Sequence, residues 1–358
     1  MRVLLTGGRA PATLELARVL ARAGHQVEVA ESLSLHRCRF SRAVERCHRV
    51  PAPNRQPQLF AQALQTLMTT RAIDLLIPTC EETYWVAKAG LAGAWCEPPE
   101  KLLPLHSKWQ FQQRVAEHGL NPVQTQRCNT LPQLLPYLNG AHVIKPEYSR
   151  FAQKVLIQPR QLSLLTGAGP WVVQPFIEGR EWCVFAMARA GRLLARAIYP
   201  SEMRLGQGSA LRFRYQHHQA LSEWLDRFVA GEAYTGFVAF DFIEDPAGRL
   251  WPLECNPRLT SGIHLLADQA GLADLFWNDP GEVLTPKPDS RAQLSLALLL
   301  LGKFGWKEAL AARDVIFCRQ DPWPGLLQAL TLLPLAARAV GQRISMVEAS
   351  TWDIEWNG

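Results

Sequence analysis

Three oxygen-bearing side chains and one guanidinium stand close together near position 250 of this 358-residue chain. Phe237-Val238-Ala239-Phe240-Asp241-Phe242-Ile243 is an apolar, strand-prone run with a single carboxylate in its middle. Burying that carboxylate is costly unless a cation or a donor faces it, so something positive should sit beside Asp241. After a turn at Asp245-Pro246-Ala247-Gly248 comes Leu250-Trp251-Pro252-Leu253-Glu254-Cys255-Asn256-Pro257-Arg258. Side chains of an extended segment alternate, which puts Glu254, Asn256 and Arg258 on one face. A hairpin register pairing Asp241 with Glu254 would gather two carboxylates and an amide oxygen, although the sequence alone leaves that register open. Such a set suits Mg²⁺ or Mn²⁺ when phosphates and waters complete the octahedron, and Arg258 would then hold a transferring phosphoryl group. Taken alone, the same residues also read as a turn with a surface ion pair.

Lysine is scarce, 8 against 30 arginines, so each one is an informative marker. His142-Val143-Ile144-Lys145-Pro146 reads as a short strand ending in a lysine at a Pro turn. From there an ammonium can reach a phosphate as a point charge. Lys108 lies upstream, and Trp171-Val172-Val173-Gln174-Pro175-Phe176-Ile177-Glu178-Gly179-Arg180-Glu181 runs between the lysines and the acidic pair.

This ordered set resembles the ATP-grasp superfamily, closest in pattern to the branch of the carbamoyl phosphate synthetase large chain and biotin carboxylase, over roughly residues 1 to 275. The resemblance implies an ATP- and Mg²⁺-dependent ligase: a substrate carboxylate takes the γ-phosphoryl group of ATP as an acyl phosphate, which a second nucleophile, most often an amine, then opens. It implies that Lys108 and Lys145 contact ATP phosphates, that Gln174, Phe176 and Ile177 form the hinge whose backbone recognises adenine, and that Glu181 holds the ribose. Asp241, Glu254 and Asn256 would be the metal ligands and Arg258 the arginine at the acyl phosphate. Leu259-Thr260-Ser261-Gly262 also resembles the family's continuation. The family usually covers the phosphates with a glycine-rich loop after the second lysine. Here Glu147 to Val155 contains no glycine, and Ser149 and Arg150 are the donors that remain. A nucleotide-binding relative without turnover is therefore the alternative reading. No Ser/His/Asp or Cys/His nucleophile competes with phosphoryl transfer, which needs charge neutralisation and alignment more than covalent protein chemistry.

The elements that must position these groups follow from periodicity and punctuation. Val3 to Thr6 reads as a buried strand, Gly7-Gly8 as a turn, Pro11 to Ala23 as a helix with Pro in its first turn, and Gln26 to Ala30 as a second strand. Glu31 at the end of that strand invites a nicotinamide-dependent oxidoreductase, but Gly7-Gly8-Arg9-Ala10-Pro11 does not match G-x-G-x-x-G. Leu59 to Thr69 continues as helix, Ile73 to Pro78 as strand, and Thr79-Cys80-Glu81-Glu82 opens another helix. Ser107 caps a helix from Lys108 to His118 that Gly119 stops. The expected fold class is α/β and α+β: a Rossmann-like parallel sheet over 1–104 preceding a bilobal ATP-grasp unit with antiparallel sheets over 105–280, its small lobe at about 140–205. Residues 281–358 form a helical or mixed region whose Asp321-Pro322-Trp323-Pro324 and Trp352-Asp353-Ile354-Glu355-Trp356 match no motif with a mechanism.

Composition narrows the class. Hydrophobic residues make up 48% and charged residues 20%, without a low-complexity block, so a folded chain is expected. The net charge of +6 comes from arginines scattered singly, which is not the footprint of a nucleic-acid binder. Eight cysteines form no Cys-x-x-Cys pair, and the His36, Cys38, Cys47, His48 group fits no common zinc spacing. The opening residues make too short an apolar run for a signal peptide, so cytoplasmic residence with reduced thiols is expected. Leu294 to Leu301 and Leu326 to Val340 are too short or too interrupted to span a membrane. The expected partners are a small carboxylate and an amine, with homo-oligomerisation left open. His217-His218 reads as a loop or helix start, Arg212 and Arg214 as an alternating pair that could face an anion, and His264 as a buried residue behind Arg258.

Overall fold

The computed structural model describes residues 1–150, 154–161, 169–203, 210–300, 302, 303, 305, 307 and 311–358. The chain opens with β1 (Arg2–Thr6), α1 (Pro11–Arg22) and β2 (Gln26–Glu31), then β3 (Arg46–Arg49), α2 (Pro57–Thr70) and β4 (Leu75–Ile77). These strands form a parallel sheet in the order β3-β2-β1-β4. Val3, Leu4 and Leu5 are wholly buried, as a central parallel strand covered on both faces requires. The order reverses between β1 and β4, and in open α/β sheets ligands bind beyond the carboxyl ends of the strands at that point. Gly7 makes the turn there at φ +69°, and a Cβ on it would lie 2.7 Å from Glu82 Oε1.

Helices α3 (Thr83–Ala89), α4 (Pro99–His106) and α5 (Lys108–Glu117) lead out of this sheet. Ser107 starts α5 as expected, its hydroxyl accepting from Gln110 N at 3.1 Å. Next come β5 (Gln126–Cys128), β6 (His142–Pro146), β7 (Leu156–Ile157) and β8 (Trp171–Pro175), an antiparallel sheet in the order β5-β8-β6-β7. The large antiparallel sheet follows, built from β9 (Arg180–Arg189), β10 (Arg192–Pro200), β12 (Gly236–Glu244) and β13 (Leu250–Asn256) in the order β10-β9-β12-β13. Between them in sequence lie β11 (Arg212–Arg214) and α6 (Gln219–Glu232).

Alternation along these strands builds two cores, one on each face of the large sheet. Val238, Phe240 and Phe242 of β12, Trp182 and Val184 of β9 and Cys255 of β13 pack against α6. That helix offers Leu221, Trp224, Leu225, Phe228 and Val229 at helical spacing, with Trp224 stacked on Phe228 at 4.9 Å and edge-on to Phe242 at 4.8 Å. His218 supplies the helix start, its Nδ1 accepting from Leu221 N. Phe237, Ala239, Phe185 and Met187 face the other way and join Val3, Leu5, Leu14 and Leu16 of the parallel unit in one core. Asp241, on that second face, is therefore carried towards the parallel sheet.

After α7 (Ile263–Leu266), β14 (Arg291–Gln293) and β15 (Arg313–Asp314) join β11 in a small sheet. Helices at Gln328–Gln342 and Met346–Thr351 then return the chain to the parallel sheet. Asp353 is buried between Arg9 and Arg338, each with an N···O separation of 2.6 Å, and Trp85 Nε1 donates to Ile354 O at 3.0 Å. Arg9 also holds Glu31, so the acid that suggested a dinucleotide ribose is sealed in an ion network and closed to a cofactor. No helix among the described residues is long and apolar enough to cross a membrane.

Candidate active site

Strand register assembles the centre of the site. Asp241 stands directly across from Glu254, and Ala239 from Asn256, so the register left open by the sequence is the one that brings both carboxylates together. A bulge between Asp241 and Phe242 lets Phe242 pair with Pro252 and skips Leu253. Cys255 turns into the α6 core, while Glu254 and Asn256 keep the face of Asp241.

Both marker lysines converge here. Lys108 Nζ lies 3.2 Å from Glu254 Oε2 and donates to Ser149 O at 3.1 Å. Lys145 Nζ donates to Leu253 O at 3.4 Å, next to the same carboxylate. Burial opposes the charge on Lys145 and on Glu254. It brings Lys145 down to about 8, against the pull of Glu254. For Glu254 the two ammoniums overcome burial and hold the carboxyl at about 2. Two buried lysines around two carboxylates are a nearly neutral set, able to admit phosphates once a divalent cation joins them. Among the described residues no three His, Cys, Asp or Glu side chains gather into a metal cage. Two acids and an amide therefore fit a hard cation that takes its other oxygens from phosphate and water.

Arg258 leaves the end of β13 and turns to the parallel unit. Its Nε is 2.8 Å from Glu81 Oε1, and its terminal nitrogen donates to Asn256 Oδ1 at 3.2 Å. Burial works against the charged guanidinium, but Glu81 outweighs it and raises its pKa. Glu81 also lies 3.3 Å from Arg150 Nε, and Arg150 is bonded to Glu355, Trp356 O and Asn357 of the C-terminal segment. Arg150 is thus turned into this network and away from the phosphate-cover role, and Ser149 meets the site through its carbonyl. Phe151, Ala152 and Gln153 of the glycine-free loop lie outside the described residues.

A cavity of about 620 Å³ runs past these groups, within the range of small-molecule sites. Lys145, Asp241, Glu254, Asn256 and Arg258 line it. Gln174, Phe176, Ile177 and Glu181 also line it; Gln174 is anchored by donating to Thr125 Oγ1 at 2.9 Å, and Phe176 N–H is already given to Ala141 O at 2.8 Å. Further lining comes from Ala10, from the loop residues Thr79 and Cys80, and from Phe213 and His264, whose rings lie 5.7 Å apart. Phe213 faces the cavity, so its neighbours Arg212 and Arg214 take the opposite side of β11, bonded to Gln293 and Glu202. Lys108 reaches Glu254 from behind the cavity wall, and Ser149 lies off it.

Glu81 and the C-terminal segment are the contributors that motif reading misses, whereas His264, expected as a buried residue behind Arg258, is buried and also lines the cavity. The first had a usable signal, an acidic pair just beyond a strand at the switch point of a parallel sheet.

No family model and no curated protein matches the chain in sequence. Solved structures do match its fold. N5-carboxyaminoimidazole synthetase from Staphylococcus aureus superposes with a TM-score of 0.64 at 13% identity, covering 84% of this chain and 84% of that one. The biotin carboxylase domain of the 2-oxoglutarate carboxylase from Hydrogenobacter thermophilus, in complex with MgADP, ADP and bicarbonate, gives 0.63 at 11% identity, over 78% and 71%. An L-amino acid ligase from Bacillus licheniformis gives 0.59 at 16% identity, over 75% and 70%. The chain has the ATP-grasp fold.

Within this ATP-grasp fold one glycine holds the Arg258 segment against the sheet. A Cβ on Gly262 would sit 2.2 Å from Phe185 Cβ, although its φ of −60° suits any residue. Gly262→Ala must push the 258–264 segment off β9. Overpacking of this kind costs about 1–3 kcal/mol, and thermal unfolding of the variant checks it; an unchanged midpoint would show that the segment gives way freely.

Proposed function

We propose that the chain is an ATP- and Mg²⁺-dependent ligase that activates a small carboxylate as an acyl phosphate and joins it to an amine. The observation that carries this reading is the Asp241–Glu254 pairing, with Asn256 beside it and Lys145 and Arg258 on the same nucleotide-sized cavity, while Lys108 meets Glu254 from outside the cavity lining. An L-amino acid ligase is among the solved structures whose fold the chain shares, which supports a ligase reading.

On this reading the adenine lies at the Gln174–Ile177 end and the ribose at Glu181. Lys145 and Lys108 neutralise the phosphates as point charges. Asp241, Glu254 and Asn256 would hold Mg²⁺ or Mn²⁺, which supplies charge neutralisation at the phosphates when bound. Arg258 stabilises charge on the phosphoryl group in transit and then on the acyl phosphate. The carboxylate oxygen attacks the γ-phosphorus, the bridging P–O bond breaks and ADP leaves. The amine nitrogen next attacks the acyl carbon, and phosphate departs. The loop and strand ends at Ala10, Thr79 and Cys80 place the acceptor beside Arg258.

A binder without turnover is the second reading, favoured by the glycine-free loop. ADP release with Mg²⁺ and a panel of carboxylates and amines separates the two. The ligase reading expects ADP only when both an acid and Mg²⁺ are present. Tight ATP binding with no ADP across the panel would leave the binder. Lys145→Ala should weaken ATP binding about 10-fold or more, since it deletes a buried charge-assisted contact worth about 1.5–3 kcal/mol; calorimetric titration showing unchanged affinity would remove Lys145 from the phosphate site.

A further inference from the structure

His264 lines the cavity while its Nδ1 lies 2.9 Å from Glu15 Oε2. Both residues are buried, at 3% and 1% exposure. Glu15 comes from α1 and is gripped a second time by Arg313 of β15, at 2.8 and 3.2 Å. The same guanidinium donates to His264 O at 2.8 Å, so the carboxylate and the backbone of the histidine are fixed together. Such a network is more than packing requires, because a buried ionised carboxylate needs every one of these partners.

We infer that His264, oriented by Glu15, is the general base that deprotonates the amine before it attacks the acyl phosphate. This rests on the ligase reading above and deepens it.

The protonation states follow from the surroundings. Burial would raise the Glu15 carboxyl, but its hydrogen bond with His264 and the charge of Arg313 hold it at about 2, so it is ionised and accepts. Nδ1 must then carry the proton, which leaves the lone pair on Nε2. Burial lowers the pKa of His264; Glu15 opposes this, Arg313 adds to it, and Asp314 opposes it. Asp268, 3.6 Å from Arg313, is a further charged group at this network. The imidazole is therefore neutral at pH 7 and able to accept. Among the described residues the ring's hydrogen bond is made by Nδ1, and the Phe213 ring covers its flank at 5.7 Å.

Other groups on the cavity are committed elsewhere. Asp241 and Glu254 face the lysines and the metal position, and Glu178 and Glu181 lie at the hinge end. Burial pushes Cys80, Cys183 and Tyr199 up, so they hold their protons and cannot accept one.

Aliphatic amines are ammonium ions at neutral pH, with a reference pKa near 10. One N–H proton moves to Nε2, giving imidazolium beside the Glu15 carboxylate and a nitrogen lone pair. The C–N bond forms, the C–O bond to phosphate breaks, and the second proton leaves with phosphate. Imidazolium then returns its proton to water.

The experiment compares two nucleophiles on the intact protein with ATP and Mg²⁺, using whichever carboxylate of a panel of L-amino acids and short monocarboxylates releases most ADP. Methylamine must be deprotonated, whereas hydroxylamine already carries a free lone pair at neutral pH. In His264→Ala the ratio of methylamide to hydroxamate falls about 10²-fold, the scale of general-base catalysis, and added imidazole raises it again. If that variant fails to fold, His264→Gln, which keeps a donor for Glu15, must show the same fall. Equal losses with both nucleophiles, or no loss, would make the histidine a strut and overturn the inference while leaving the ligase reading intact. No acid-dependent ADP from the unsubstituted protein would overturn both.

Discussion

Glu254→Gln abolishes turnover while the chain still folds. The substitution keeps the shape and one oxygen but removes the charge that faces Lys108 at 3.2 Å and draws Lys145 towards its protonated form. Losing a partner that merely orients a metal ligand costs 10–100-fold, so loss of the ligand charge should cost more than about 100-fold in ADP release. Folding survives for a specific reason. Lys145 is already down at about 8 and with Glu254 neutral it can shed its proton, while Lys108 keeps its bond to Ser149 O and can still donate to the glutamine oxygen. Asp241 stays in place opposite position 254. The check is ADP release with saturating Mg²⁺ together with thermal unfolding. Ordinary turnover would take Glu254 out of the metal site, and collapse of the fold would make it a structural residue.

The second large effect lies at the C-terminal segment. Asp353→Ala leaves Arg9 and Arg338 without the carboxylate that both contact at 2.6 Å. Breaking a buried pair from one side costs about 3–5 kcal/mol, and the lower figure is expected because Glu31 remains on Arg9. Burial alone would raise the Asp353 carboxyl, yet the two guanidiniums hold it well below its ordinary value of 3.8. A depressed acid contributes stability that is complete at neutral pH and is lost as pH falls below the ordinary value towards the folded one. The variant should therefore melt lower at pH 7, with the difference shrinking in strong acid. An unchanged midpoint at pH 7 would contradict the account of the C-terminal segment as part of the fold.

That segment also reaches the chemistry. Glu355 holds Arg150, Arg150 faces Glu81, and Glu81 faces Arg258, so a chain of alternating charges runs from the C-terminal residues to Arg258. Truncation before Glu355 should loosen Arg258 as well as the parallel sheet.

How much of this could be read beforehand depends on sequence distance. Ser107, the Pro11 helix start and the buried run at Val3 are local signals, and each element forms where its residues call for it. The Glu254, Asn256, Arg258 face needed only strand alternation. Its partner did not, because the pairing of Asp241 depends on a bulge at Phe242 that no residue type announces. β3 escaped notice because Arg46-Cys47-His48-Arg49 is a charged edge strand without an apolar alternation. Glu81, Glu15 and Asp353 acquire their meaning from partners far along the chain, Arg258, His264 and Arg9, and pairwise charges at such separations leave no periodic trace. Arg212 and Arg214 show the converse: alternation placed them together on one side of the strand, but which side faced the cavity was settled by Phe213 packing there.

The central claim is that the substrate carboxylate itself takes the phosphoryl group. It is tested most directly by labelling the carboxylate oxygens of an accepted acid with heavy oxygen and weighing the phosphate released during ligation. The account predicts one labelled oxygen in each phosphate, because the acid oxygen that attacks the γ-phosphorus leaves with it when the amine opens the acyl phosphate. Unlabelled phosphate, or label found in AMP, would contradict it.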